Sequence, residues 1–124
     1  MELEQTGKCI LDAAFRVHTE LGPGLLESAY EACLAHELRA MGVSVQRQVE
    51  QAVVYRGHSI DAGYRLDLLV DEVVVEIKAV ERLLPVHEAQ LLSYLKMGNY
   101  RLGYLLNFNV LRLKDGIKRL VNKL

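Results

Sequence analysis

Asp67, Glu76 and Lys78 carry the clearest chemical signal in this chain. They stand in the stretch Tyr64 to Lys78, read Tyr-Arg-Leu-Asp-Leu-Leu-Val-Asp-Glu-Val-Val-Val-Glu-Ile-Lys. Asp67, Glu76 and the backbone carbonyl of Ile77 are hard oxygen donors of the kind Mg²⁺ and Mn²⁺ prefer. A divalent ion held there would acidify water and neutralise charge on a phosphodiester oxygen. Lys78, two residues after Glu76, would position the nucleophile and stabilise developing negative charge. With the ion acidifying the water, neither carboxylate has to act as a proton-transferring base.

The elements that must position these groups follow from the same stretch. Asp71-Glu72 reads as a two-residue hairpin turn, the commonest connection between paired strands. It pairs Val70 with Val73 and Leu68 with Val75, and sets Asp67 directly opposite Glu76. Side chains alternate faces along a strand. Leu66, Leu68, Val70, Val73, Val75 and Ile77 therefore make an aliphatic face, and Asp67, Leu69, Val74, Glu76 and Lys78 the other. Two facing carboxylates repel; a cation between them removes the conflict.

Three helical segments surround this hairpin in the sequence. Residues 3–21 place Ile10, Leu11, Ala14, Phe15, His18 and Leu21 at helical spacing, with His18 as a packed, hydrogen-bonded residue, and Gly22-Pro23-Gly24 turns the chain. A second helix runs from about Leu25 to Met41 and ends at Gly42, with Leu26, Tyr30, Cys33, Leu34, Leu38 and Met41 on one arc. Glu27 and Glu37 both project into that arc, and either could bring a third carboxylate to the acidic pair or bond a basic residue of the sheet. A third helix spans about Val86 to Met97, with Leu91, Leu92 and Leu95 as core and His87, Gln90 and Tyr94 sharing an arc beside it. Either a site or a satisfied boundary patch accounts for those three.

Strands fill the intervals. Residues 43–55 alternate as a half-buried strand, Gly57-His58 supplies a turn, and Ile60 to Val70 returns, so that 43–78 reads as a three-stranded meander. Tyr100 to Phe108 is a buried strand, and Leu111 to Val121 reads as a hairpin about Asp115-Gly116. The order α-α-β-β-β-α-β-β gives an α/β or mixed α+β fold, a mixed central sheet flanked by helices, in one domain over residues 1–124.

Composition narrows the classes of function. The chain has 124 residues, 51% hydrophobic and 25% charged, a globular balance with a single core. A net charge of −1 gives no global basic field, so nucleic-acid contact needs a local patch or a second subunit. Arg112, Lys114, Lys118, Arg119 and Lys123 make the C-terminal tail the most basic part, either a phosphate-contacting surface or a lysine-protected sheet edge. No apolar run approaches the roughly 18 residues of a membrane span. The start, Met-Glu-Leu-Glu-Gln, lacks signal-peptide form, and Cys9 and Cys33 are expected as reduced thiols of a cytoplasmic protein. Two cysteines cannot hold an iron–sulfur cluster, no zinc-like spacing joins them to His58 or His87, and no Gly-rich loop announces a nucleotide cofactor.

At this point the chain resembles a known family. Gly24-Leu-Leu-Glu27-Ser-Ala-Tyr30 matches the motif that names the bacterial GxxExxY proteins. Gly63-Tyr-Arg-Leu-Asp67, Glu76-Ile-Lys78 and Gln90-Leu-Leu-Ser-Tyr94 fall where that family and the wider PD-(D/E)XK nuclease superfamily carry theirs. The resemblance runs from about residue 7 to 122. It implies a restriction-endonuclease-like core but supplies no substrate; we expect a Mg²⁺- or Mn²⁺-dependent nuclease, acting on DNA rather than RNA. It also implies metal-site carboxylates at Glu27, Asp67 and Glu76 and a catalytic lysine at Lys78, and so favours Glu27 over Glu37. Gln90 and Tyr94 match a Gln-x-x-x-Tyr motif that supports the site or contacts DNA, and Tyr30 and His87 are expected beside it. The small size points to a homodimer, or to a partner protein that helps hold the nucleic acid. Two other classes stay open: a binding module that keeps the nuclease fold without catalysis, and a structural dimer in which Asp67 and Glu76 only pair with Lys78 and Arg65.

Overall fold

Helix α1 (Leu3–Leu21) forms where apolar residues recur at helical spacing, and its start is tied by the Glu2 amide donating to Gln5 Oε1. Gly22, at φ 66, ends it by taking a left-handed conformation that costs other residues more. Helix α2 (Glu27–Ala40) begins after the Gly22-Pro23-Gly24 turn. Leu26, expected on its buried arc, lies before the first helical residue and is 77% exposed. The computed structural model describes residues 1–124.

Seven strands follow the two helices: β1 (Val45–Glu50), β2 (Val53–Tyr55), β3 (His58–Ile60), β4 (Arg65–Val70), β5 (Val73–Lys78), β6 (Leu102–Asn107) and β7 (Ile117–Val121). Five of them make a mixed sheet in the order β1-β4-β5-β6-β7. β5 and β6 run parallel, as a crossover through helix α3 (Pro85–Gly98) requires, and the other neighbours are antiparallel. The expected mixed sheet flanked by helices is therefore present.

The meander expected over 43–78 is interrupted. The chain leaves the main sheet after Glu50 and makes a separate small hairpin, β2–β3, before re-entering at Arg65. Its turn is Arg56-Gly57, not Gly57-His58: both turn residues have positive φ, 49 and 78, as the two-residue turn that matches strand twist demands. The hairpin expected about Asp115-Gly116 is also replaced. Leu113–Gly116 form a short 3₁₀ turn anchored by buried Leu113, and a single strand, β7, returns alongside β6. A Cβ on Gly116 would stand 2.2 Å from the carbonyl oxygen of Asn107, so the chain crosses there without a side chain.

Helices α1 and α2 cover one face of the sheet, and α3 covers the other. On the first face Ile10, Ala14, Tyr30, Leu34 and Leu38 meet Leu68, Val75, Ile77 and Phe108 in the larger core. On the second, Leu91, Tyr94 and Leu95 meet Leu66, Val74 and Leu105. Leu66 breaks the expected alternation, since it lies on the opposite face from Leu68. The reason sits between them. Gln48, directly across from Asp67 by the β1–β4 register, has φ 53, and the ladder is irregular at that rung.

Candidate active site

The β4–β5 hairpin closes as expected, with Val70 paired to Val73, Leu68 paired to Val75, and Asp71 at φ 51 in the turn. Past Leu68–Val75 the carboxylates take over the pairing. The Asp67 amide donates to Glu76 Oε2 at 2.8 Å, and the Ile77 amide donates to Asp67 Oδ2 at 2.8 Å. Each acid thus bonds the backbone of the other strand, next to the irregular Gln48 rung. Ile77, whose carbonyl was suggested as a ligand, gives its N–H to this arrangement.

These bonds do not offset the cost of burial. Glu76 is only 5% exposed, and its pKa is pushed up to about 8, first by burial and then by the neighbouring charge of Asp67. Half-buried Asp67 is likewise raised, mainly by burial, against the stabilising bond from the Ile77 amide. Lys78 opposes both shifts through its charge, and it is near enough to act on each. None of Asp67, Glu76 and Lys78 makes an ion pair, and Arg65 pairs with Glu50 at 3.6 Å instead. A salt-bridged hairpin face of Asp67 and Glu76 with Lys78 and Arg65 is therefore not what forms, because Arg65 lies across from Glu50 in the β1–β4 register.

Helix α2 brings two glutamates towards the hairpin, and their environments differ. Glu27 is exposed, and its Oε2 accepts a long bond of 3.4 Å from the Ala79 amide, just beyond β5. Glu31, four residues and about one turn further along, is 7% exposed. Arg47 Nε donates to its Oε2 at 3.1 Å and Gln48 Nε2 to its Oε1 at 2.7 Å. The same Gln48 nitrogen lies 3.4 Å from Asp67 Oδ1, and the Glu31 charge raises both Asp67 and Glu76. Glu37 turns away to Arg16 on α1, at 4.0 Å. Glu31 and Gln48 did not emerge from the sequence. The only available sign of Glu31 was its i+4 relation to Glu27; for Gln48 there was none, since its role depends on an unusual φ.

The remaining expected residues separate into two groups. Tyr94 is 5% exposed and packs with Leu66 and Val74, next to the strand positions of the acidic pair. Its pKa is pushed up to about 12 by burial and next by the Glu76 charge, and Gln90 lies about one turn before it on α3. Tyr30 is in the core, stacked on Phe108 at 4.6 Å between ring centroids. Its hydroxyl donates to the Gly22 carbonyl and accepts from the Leu25 amide, so it clamps the turn that starts α2. His87 Nδ1 accepts from the Leu84 amide at 3.0 Å and caps α3 while also lining the groove beside Tyr94. His18 is packed as expected, its Nε2 2.8 Å from the Val110 carbonyl.

Asn107, another residue that sequence reasoning missed, holds the far end of β5. It is 1% exposed, stands beside Lys78 in the β5–β6 register, and bonds both the amide and the carbonyl of Val80. The Phe108 amide donates to the Lys78 carbonyl at 3.0 Å. The backbone on both sides of Lys78 is thereby fixed.

As a donor set, Asp67 and Glu76 are hard, anionic when deprotonated, mutually repelling and largely withdrawn from solvent, which fits a divalent cation of the Mg²⁺ class. In this conformation no three acidic, histidine or cysteine side chains converge on one ion position. Cys9 and Cys33 are free and half-buried, and no helix is long and apolar enough to cross a membrane. No curated protein and no solved structure matches the chain significantly. A family model does match, over residues 4–120, nearly the whole length and all the elements described above. Three helices about a five-stranded mixed sheet agree with the restriction-endonuclease-like core that this family implies. By sequence and fold together, the chain belongs to the PD-(D/E)XK nuclease superfamily.

Proposed function

We propose that this protein is a divalent-metal-dependent nuclease that hydrolyses phosphodiester bonds in DNA, and that it is a member of the GxxExxY branch. Membership of the superfamily implies a nucleic-acid substrate, and its nucleases generally use divalent metals. The observation that carries the reading is the facing pair of half-buried Asp67 and buried Glu76, mutually repelling and adjoined by Lys78. Asp67 and Glu76 would hold the ion, with Ile77 contributing its carbonyl. The motif Gly24-Leu-Leu-Glu27-Ser-Ala-Tyr30 supports the branch assignment.

When bound, the metal supplies a more acidic water and charge neutralisation at the phosphate. The protein groups do the rest. Lys78 directs its ammonium at the reacting phosphate and stabilises the charge that develops there. Gln48 holds the Asp67 carboxylate from the side of β1, and Arg47 fixes the Glu31 carboxylate next to it. Phosphate contacts come from the exposed cations of the tail; Arg112, Lys114, Lys118 and Lys123 are free of ion pairs, whereas Arg119 is engaged by Glu4. A second copy or a partner protein completes the grip on DNA.

The direct test incubates the protein with single-stranded, duplex and branched DNA and with RNA, in Mn²⁺ and in EDTA. Cleavage of DNA in Mn²⁺, none in EDTA, and none by Asp67→Asn is the expected result. Absence of cleavage on every substrate, or equal cleavage by Asp67→Asn, would sink the assignment.

Two glutamates compete for the role of third carboxylate, and their environments predict different behaviour. Glu31→Gln removes a buried charge partner of Arg47 and loosens the Gln48–Asp67 contact, so it should destabilise the fold by about 1–3 kcal/mol and weaken Mn²⁺ binding. Exposed Glu27→Gln should leave stability unchanged and lower only the metal-dependent rate. Urea melts and Mn²⁺ titrations of both variants check this; equal stability of the two would contradict it.

A further inference from the structure

Beside the acidic pair runs a groove of about 510 Å³ whose chemistry differs from that of the pair. Tyr94 forms its inner wall and Tyr64 its mouth. Their rings meet edge to face, 6.0 Å apart and inclined at 61°, so Tyr64 is held by a neighbour yet remains 46% exposed. Val53 from the small hairpin and Val86 and Met97 from α3 add apolar wall, and no Asp, Glu, Lys or Arg lines the groove. Its polar groups are uncharged: Gln90, Ser93 and His87. Because His87 accepts the Leu84 amide through Nδ1, its neutral ring carries the proton on Nε2 and keeps one donor free.

An aromatic ring, apolar walls and uncharged donors and acceptors suit a flat heteroaromatic group with hydrogen-bonding edges. They do not suit a phosphate, for which the groove has no cation. Position supplies the connection to the reaction. Tyr64 precedes Asp67 by three residues on the way into β4, and Tyr94 packs in one cluster with Leu66, the neighbour of Asp67, and Val74, two residues before Glu76. A base seated here would leave its own phosphate directed towards the carboxylates and Lys78.

We infer that this groove is a base-stacking subsite that takes one unpaired nucleobase next to the scissile phosphate, so that the substrate is single-stranded. The inference rests on the nuclease reading above and adds strand state to it. In a duplex both faces of a base are covered by its neighbours and its edge by its partner, so only an unpaired base can enter. The β2–β3 hairpin, absent from the simple meander, is the element that closes the groove on the side facing α3 by contributing Val53.

The test measures binding in EDTA, where hydrolysis plays no part. A fluorescently labelled hexathymidylate is titrated with wild type, Tyr64→Ala and Tyr64→Phe. Loss of one stacking contact should weaken binding roughly 5- to 150-fold in Tyr64→Ala, while Tyr64→Phe, which keeps the ring, retains wild-type affinity. A single abasic site walked along the strand should produce the same loss at one position with wild type and no added loss with Tyr64→Ala. A hairpin duplex of the same length should show no dependence on Tyr64, and hexauridylate reports whether RNA enters as well. Undiminished binding by Tyr64→Ala, a flat abasic scan, an equal Tyr64 dependence on duplex, or no binding of any strand overturns the subsite. If Tyr64→Ala misfolds by circular dichroism, the abasic scan on wild type decides alone. Base-dependent binding without cleavage in Mn²⁺ would remove the nuclease reading and leave the subsite standing.

Discussion

Lys78→Met is expected to lower the single-turnover rate of DNA cleavage about 10²–10³-fold, the loss typical of removing one preorganised donor from a developing oxyanion. Binding measured in EDTA should change little, because the interaction is made in the transition state rather than in the ground state. The expectation rests on how the lysine is held. Its strand is fixed by the Phe108 amide on its own carbonyl and by Asn107, which bonds Val80 two residues on. Its ammonium has no ion-pair partner, while its charge bears on both Asp67 and Glu76. Methionine keeps the unbranched stem, so a half-buried position stays filled and the fold is preserved. Equal rates for wild type and Lys78→Met, with both folded by circular dichroism, would remove Lys78 from the mechanism.

Glu76 should make the metal-free protein more stable in mild acid than in mild base. In the unfolded chain it titrates near its ordinary 4.5, and in the fold at about 8. Between those values the native state holds a proton that the unfolded state has released, so unfolding becomes easier as pH rises. The advantage is complete below pH 4.5 and gone above about 8, and Asp67, raised in the same direction, adds to it. A shift of this size corresponds to a fall in melting temperature on the order of 10 °C across the window. Glu76→Gln, which can still accept the Asp67 amide, should flatten the profile and melt higher than wild type at pH 8. Mn²⁺ should raise the wild-type melting temperature more at pH 8 than in mild acid, since about half of the Glu76 protons are already gone there and fewer have to be displaced, and raise Glu76→Gln much less. Thermal melts at four pH values with and without Mn²⁺ decide the matter. A Glu76→Gln variant less stable than wild type at pH 8 would show that the carboxylate is held by attractions that the burial argument leaves out.

Both expectations concern residues visible in the sequence, and the reason is local. A two-residue turn determines which residues face each other on a hairpin, so Asp71-Glu72 was enough to place Val70 against Val73 and Leu68 against Val75. The helical periods of α1, α2 and α3 were legible because each buries a stripe against the sheet. The order of elements implied a mixed sheet, since a helix between β5 and β6 allows those strands to run parallel.

What the sequence could not determine depended on a contact with a distant segment. The strand expected over 43–55 breaks because Gln51 donates its amide to the Tyr64 carbonyl and the chain then doubles back as β2–β3. The expected hairpin about Asp115-Gly116 became a turn and one strand because Asn107 crosses against Gly116. Most consequential is the third carboxylate. The helical wheel offered Glu27 and Glu37 and passed over Glu31, because a wheel carries no information about what lies opposite. Glu31 is buried against Arg47 and Gln48 of β1, and Gln48, at a positive φ across from Asp67, reaches both carboxylates. The sequence by itself therefore determined the hairpin, its two acids and its lysine, through local turn geometry and alternation. Tertiary structure alone decided which glutamate of α2 is buried against Gln48 and which aromatic residues share a groove, since both depend on side chains brought together from strands and helices far apart in the chain.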